Sequence, residues 1–202
     1  MKKSLLIGAA FAMLGTSVPT FAAGDAAAGQ AKTQVCMACH GPDGNSMVAQ
    51  FPKLAGQHAD YIAKQLADYK SGKRSDPTMM GMAAALSEQD MADLGAYYAS
   101  QKINPATYDE SKLKLGEAVY KGGNLATNVP ACQACHAPNG HGNAPANFPS
   151  LASQHVDYTV KQLKAFREGA RANDNGKMMR NAVLRMTNEE IEAVAHYIAS
   201  LK

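Results

Sequence analysis

Hydrophobic and polar positions divide the chain into three regimes. At the start, Lys2 and Lys3 precede an apolar run from Leu5 to Leu14, and Thr20-Phe21-Ala22 supplies a small-residue cleavage site. That order reads as a secretory leader over residues 1–22, with the mature chain starting at Ala23; the run is shorter than the roughly 20 apolar residues a membrane span needs. Further on, apolar and aromatic positions recur at a spacing near 3.6. Tyr61, Leu66 and Tyr69 trace one helix face, and Tyr158, Leu163 and Phe166 trace another. Two N-terminal capping boxes, Ser87-Glu-Gln-Asp90 and Thr187-Asn-Glu-Glu190, open helices expected to end at Lys102 and Lys202, and a further helix is expected from Ser111 to Lys121. The third regime is the connections, where Gly, Pro and Asn cluster. No alternating apolar stretch is long enough to make a strand, so the fold class is all-α.

The chain is also a duplication, the second half restating the first at an offset of about 96 to 100 positions. Cys36-Met-Ala-Cys39-His40 returns as Cys132-Gln-Ala-Cys135-His136, and Phe51-Pro-Lys-Leu-Ala-Gly-Gln57-His58 returns as Phe148-Pro-Ser-Leu-Ala-Ser-Gln154-His155. The helix that follows repeats as well: Tyr61, Lys64, Gln65, Leu66 and Tyr69 pair with Tyr158, Lys161, Gln162, Leu163 and Phe166. After the leader, two domains are expected, 23–103 and 104–202. The Pro-containing polar stretch Ile103 to Asp109 serves as linker at the start of the second.

Charge narrows the partners. With Lys2 and Lys3 gone with the leader, 18 basic side chains face 17 acidic ones, a near-neutral balance that argues against nucleic acid. The first domain carries 7 basic and 8 acidic residues and the second 11 and 9. That asymmetry could orient docking, although ordinary solvated surface explains a difference of this size as well.

Chemistry is concentrated in the duplicated motif. All four cysteines fall in two C-x-x-C-H sequences, the pattern of covalent c-type haem attachment. Two thiols on one helical turn each add to a haem vinyl group, and the histidine that follows can ligate iron. Cys36, Cys39, Cys132 and Cys135 are therefore the attachment residues, and His40 and His136 the proximal ligands, of two haem c groups. A zinc ribbon would bring its cysteine pairs much closer in sequence, a thioredoxin-like pair needs a strand-helix setting absent here, and plain disulfides remain open in an oxidising compartment.

The sixth ligand follows from aligning the halves on Ser87 and Thr187. Met79 then stands opposite Met179, Met80 opposite Arg180 and Met82 opposite Ala182, so one column alone holds methionine twice. A His/Met pair favours ferrous iron and suits an electron carrier at positive potential. Met37, Met47, Met91 and Met186 read as core filling. His58 and His155, matched in position, are the rival ligands, but their place beside Gln57 and Gln154 at a helix start makes them loop or haem-edge residues. Lys53 or Arg180 is a candidate for facing the haem propionates. Tyr61, Tyr97, Tyr98, Tyr158 and Tyr197 read as core and haem wall.

These residues resemble the class I cytochromes c, and a methionine in each of two tandem halves is similar to the bacterial di-haem cytochromes c4. The likeness spans essentially the whole mature chain. It implies that a proline carbonyl about a dozen residues after each attachment histidine accepts its ring N–H; Pro52 and Pro149 stand 12 and 13 residues after His40 and His136. It also implies two cytochrome domains packed about a pseudo-twofold axis. The segment from Ser71 to Thr78 is shorter than the family pattern, which leaves the choice among Met79, Met80 and Met82 open.

The function the resemblance implies is one-electron relay in the periplasm, from a cytochrome bc complex to a terminal oxidase, by a monomer that in some family members is loosely attached to the membrane. Such a carrier catalyses no reaction of its own. Two alternatives stand beside it: a di-haem cytochrome c peroxidase, and an electron-accepting subunit of a dehydrogenase or oxidase.

Overall fold

The computed structural model describes residues 23–202, and the leader read over 1–22 lies outside the described residues. Ten α-helices follow one another: α1 (Ala26–Ala31), α2 (Gln34–His40), α3 (Ala59–Lys70), α4 (Pro77–Ala83), α5 (Glu88–Ala99), α6 (Leu113–Gly122), α7 (Gln133–His136), α8 (Val156–Arg167), α9 (Met178–Val183) and α10 (Asn188–Ser200). Among the described residues the only extended pairing is two isolated bridges, Asn124 with Val129 and Asn143 with Phe148, which pinch the loops on either side of α7. The chain is all-α, as expected.

Local signals set most helix starts. Asp25 accepts from the N–H groups of Ala27 and Ala28, and Asp76 caps α4 ahead of Pro77, whose missing N–H costs nothing in the first turn. Both capping boxes are complete, Ser87 with Asp90 and Thr187 with Glu190.

Three boundaries differ from the sequence expectation. The entry to the second half is not one helix from Ser111. Asp109 accepts from the Ser111 N–H and winds Glu110–Lys112 into a 3-10 turn before α6 begins. The helices expected to run to Lys102 and Lys202 stop at Ala99 and Ser200, because loop groups take their last carbonyls: the Gly56 N–H donates to Tyr98 O and the Ser153 N–H to Ile198 O.

Each half builds the same small bundle. In the first, α5 packs on α1 and α3, with α4 against α3; in the second, α10 packs on α6 and α8, with α9 against α8. A glycine lets each terminal pair cross closely. A Cβ on Gly29 would lie 2.0 Å from Asp93 O, and one on Gly116 would lie 2.2 Å from Ala193 O. The first core gathers Ile62, Leu94, Tyr97 and Tyr98, and the second, larger one gathers Tyr120, Phe166, Ile191, Val194 and Ile198 among others.

The halves meet through contacts that obey the repeat. Gln57 receives the Ser150 N–H and donates to Ser150 O, both at 2.9 Å, while Gln154 does the same with Lys53 N and O, also at 2.9 Å. Gln57 and Gln154 are repeat partners, and so are Lys53 and Ser150. The interface is thus related to itself by a pseudo-twofold axis. The connecting stretch is tied to both halves: Lys53 donates through Nζ to Asn104 O and Pro105 O, and the Asp109 N–H donates to His196 Nδ1.

Candidate cofactor site

In the first half the attachment motif occupies α2, and in the second Cys132 caps the single turn α7, which carries Cys135 and His136. Both histidines end their helix and are buried. The residue after each turns to positive φ, Gly41 at 79° and Ala137 at 64°, which swings the chain away and leaves the imidazole facing inward. His40 Nδ1 lies 2.9 Å from Pro52 O and His136 Nδ1 3.0 Å from Pro149 O. A carbonyl only accepts, so Nδ1 carries the hydrogen and Nε2 the lone pair. Burial holds both imidazoles below the usual histidine range, against the smaller opposing pull of the carbonyl. Phe51 and Phe148 set their rings against His40 and His136, each with 6.3 Å between centroids.

One continuous cavity runs through both halves and across their interface. Its walls include all four cysteines, His40 and His136, Met79 from α4 and Met179 from α9. The four thiols are free. Burial pushes the Cys36 thiol up and the Cys132 thiol up to about 11, so both stay protonated. Around them the wall is mostly apolar, with Leu54, Leu66 and Leu94 in the first half and Leu151, Leu163 and Val194 in the second.

The structure separates the neighbouring methionines. Met80 and Met82 are 36% and 46% exposed and do not line the cavity, whereas Met79 does, its N–H held by the Asp76 carboxylate. Met178 touches the cavity edge but is exposed. Met91 and Met186 are core, as read from sequence; Met47 is 94% exposed and corrects that reading, because it rides a loop tip held by Ser46 hydrogen bonds rather than a helix face. His58 and His155 lie outside the cavity wall, each preceding a helix, and His155 Nε2 sits 2.9 Å from Ser46 O in the other half.

Two arginines were missed. Arg74 and Arg171 are buried at the interface, line the cavity and, among the described residues, have no carboxylate partner. The candidate singled out from sequence, Arg180, instead gives its charge to Asp174, with Nε 2.7 Å from Oδ1. Lys53 is buried and turned to the linker carbonyls, with its pKa lowered by burial. The signal that would have found the arginines is the repeat itself, which pairs Arg74 with Arg171 and their partners Tyr61 and Gln65 with Tyr158 and Gln162.

The donor set fits a covalently attached iron porphyrin. Paired free thiols flank an imidazole with an available Nε2, a thioether comes from another helix, the walls are apolar, and two uncompensated guanidinium groups stand where the two half-cavities join. These features suit an apolar ring with two acid side chains.

Comparison with known proteins agrees. The family model described as cytochrome c matches twice, over residues 26–102 and 114–202. A cytochrome c4 of Pseudomonas aeruginosa is 49% identical over 189 residues, covering 93% of this chain and 94% of the relative. A thiosulfate dehydrogenase electron acceptor of Stutzerimonas stutzeri is 40% identical over 173 residues, covering 82% of this chain and 78% of the relative. Among solved structures, reduced recombinant cytochrome c4 from Pseudomonas stutzeri superimposes with a TM-score of 0.87 at 48% identity, covering 89% of this chain and all of that one.

Proposed function

The chain belongs to the cytochrome c family as a tandem, di-haem electron carrier, and on that premise we propose that it relays single electrons between respiratory complexes in the periplasm. Haem c, when bound, supplies a site that takes up and gives back one electron. The protein supplies attachment, ligation, burial and docking. In this reading Cys36 and Cys39 hold one group and Cys132 and Cys135 the other. His40 with Met79 and His136 with Met179 are the axial ligands, and the carbonyls of Pro52 and Pro149 fix the histidine rings. Domains 23–103 and 104–202 each enclose one group, and residues 1–22 direct export. Donor and acceptor are a cytochrome bc complex and a terminal oxidase, and the protein works as a monomer.

The observation that supports relay best is that each half brings its histidine and one half-buried methionine to the same cavity. A peroxidase must leave one iron with a displaceable position, and neither half lacks the methionine. The reading as the electron-accepting partner of a dehydrogenase draws on the relative named a thiosulfate dehydrogenase electron acceptor.

Purified reduced protein mixed with membranes containing a terminal oxidase tests the assignment. Rapid oxidation that an oxidase inhibitor blocks supports relay to that enzyme. Peroxide-driven turnover by the isolated protein, with a high-spin ferric spectrum, would overturn it in favour of the enzyme. Copurification with a stoichiometric dehydrogenase would move the carrier to the other pathway.

A further inference from the structure

The two halves are near-copies, yet some repeat positions that line the cavity differ in kind, Lys53 with Ser150 and Ile62 with Thr159 among them, and Tyr98 with Ile198 is the pair that sets a buried, unpartnered hydroxyl against an alkyl group. Tyr98 in α5 and Ile198 in α10 occupy the same place, since each gives its carbonyl to the N–H of the equivalent loop residue, Gly56 in one half and Ser153 in the other. Both side chains line the cavity and both are buried. Tyr98 is 2% exposed, and its ring is wedged between Tyr97, at 5.2 Å between centroids, and Gly44, where a Cβ would come within 2.7 Å of Tyr98 Cδ1. It has no room to swing out.

Its hydroxyl is the unusual feature. The neighbouring Tyr97 hydroxyl donates to Pro42 O at 2.9 Å, but Tyr98 Oη is sealed from solvent with no hydrogen-bond partner. A buried donor left unmade costs about 1–3 kcal/mol, so a group of this kind is kept where something accepts from it. Cys36, the first attachment cysteine, packs on the same cluster and lines the same cavity as Tyr98. Burial also raises the Tyr98 pKa, so the proton stays on the oxygen at any physiological pH.

We propose that Tyr98 is a tuning residue of the N-terminal site, its unpartnered O–H available to the Cys36 sulfur once that sulfur is bonded to the ring, a donor that Ile198 does not give the C-terminal site. A donor aimed at that sulfur withdraws electron density and sets the positive end of a dipole toward the ring. Both effects disfavour the ferric state. The N-terminal site thereby gains potential that Ile198 does not give its twin. The inference rests on the proposed attachment at Cys36 and is tested separately from it.

The test is Tyr98→Phe in the holoprotein, which removes the hydroxyl and keeps the ring. Each site is followed by proton NMR through a redox titration, contacts with Leu94 identifying the N-terminal signal and contacts with Val194 the C-terminal one. The expected result is a lower N-terminal potential, an unmoved C-terminal potential, and a shift in the carbon–sulfur stretching band of one thioether in the resonance Raman spectrum. Two intact haem groups with neither potential moved, or both moved together, would refute the role of Tyr98 while leaving electron carriage standing. Absence of a haem on Cys36 would instead strike at the attachment itself.

Discussion

Arg74 and Arg171 reach across the interface in opposite directions and meet each other's partners. Arg74 Nη2 donates to the Tyr158 hydroxyl at 3.0 Å and Gln162 Oε1 at 2.9 Å; Arg171 Nη2 donates to the Tyr61 hydroxyl at 2.9 Å and Gln65 Oε1 at 3.0 Å. Each guanidinium also stacks on an aromatic ring of its own half, Tyr69 at 4.7 Å and Phe166 at 4.4 Å. The pair locks two bundles of modest core into one body.

Removing one member should loosen that lock more than it damages either bundle. Arg74→Met keeps an apolar stem over Tyr69 but strips the charged donors from Gln65, Gln162 and Tyr158. The expected loss is about 2–3 kcal/mol, because hydrogen bonds from a charged donor are the stronger kind and the acceptors stay buried, as Gln65 is, or half-buried, as Tyr158 and Gln162 are. Urea unfolding followed by circular dichroism and by absorption should separate into two transitions. A single transition at the wild-type midpoint would show that the arginine does not couple the halves.

The ligand assignment makes a sharper forecast about neighbours. Met79 and Met179 line the cavity, whereas Met80 is turned to solvent. In the ferric protein, Met79→Ala should abolish one sulfur-to-iron charge-transfer band and lower one potential, Met179→Ala should abolish the other, and Met80→Ala should leave both bands intact. Loss of a band in Met80→Ala with retention in Met79→Ala would transfer the ligand role by one residue.

Much of this was legible in the sequence because it lies in local or repeated patterns. The capping boxes at Ser87 and Thr187 set two helix starts, and aligning on them singled out Met79 and Met179. Covalent haem follows from residues three and four apart. What was not legible depends on how the two halves face each other. Nothing along the chain says that Gln57 grips Ser150, or that Arg74 rather than Arg180 keeps a free charge at the cavity, since Asp174 captures Arg180 from six positions away. Met47 misled for a related reason. Its apolar side chain suggested burial, but the Gly- and Asn-rich loop around it supplies no periodicity to say which way it points.

Ala137 holds a conformation that its repeat partner solves with glycine. At φ 64° and ψ 157° it lies in territory that a Cβ makes costly, whereas Gly41 at φ 79° and ψ 162° occupies it freely. The Tyr120 hydroxyl pins this turn by donating to Ala137 O at 2.7 Å. Ala137→Gly should therefore raise stability by about 1 kcal/mol, part of the strain relief being offset by the extra freedom of glycine in the unfolded chain. Thermal unfolding should show a higher midpoint with an unchanged absorption spectrum; a lower midpoint would mean that the alanine is not strained.

The capping boxes carry an acid dependence whose sign is fixed by which state holds its proton less tightly. Asp90 accepts from the Ser87 hydroxyl at 2.6 Å and the Ser87 N–H at 2.8 Å, with Lys32 Nζ 3.3 Å away. The Ser87 bonds above all hold its carboxyl down at about 2, from an ordinary 3.8. A carboxylate depressed in the folded state stabilises it above the unfolded value and gives that stabilisation up as pH falls toward the folded value. Between about pH 4 and pH 2 the wild type should lose the contribution of this cap, and Glu190, also lowered while donors from Asn124 and Thr187 bind its ionised form, acts in the same direction in the other half. Asp90→Asn keeps an acceptor but no titrating group. Its stability should start lower at neutral pH and fall less steeply with acid, so that the two curves converge near pH 2. Parallel curves throughout the acid range, measured by urea unfolding at each pH, would mean that the Asp90 cap contributes nothing to acid sensitivity.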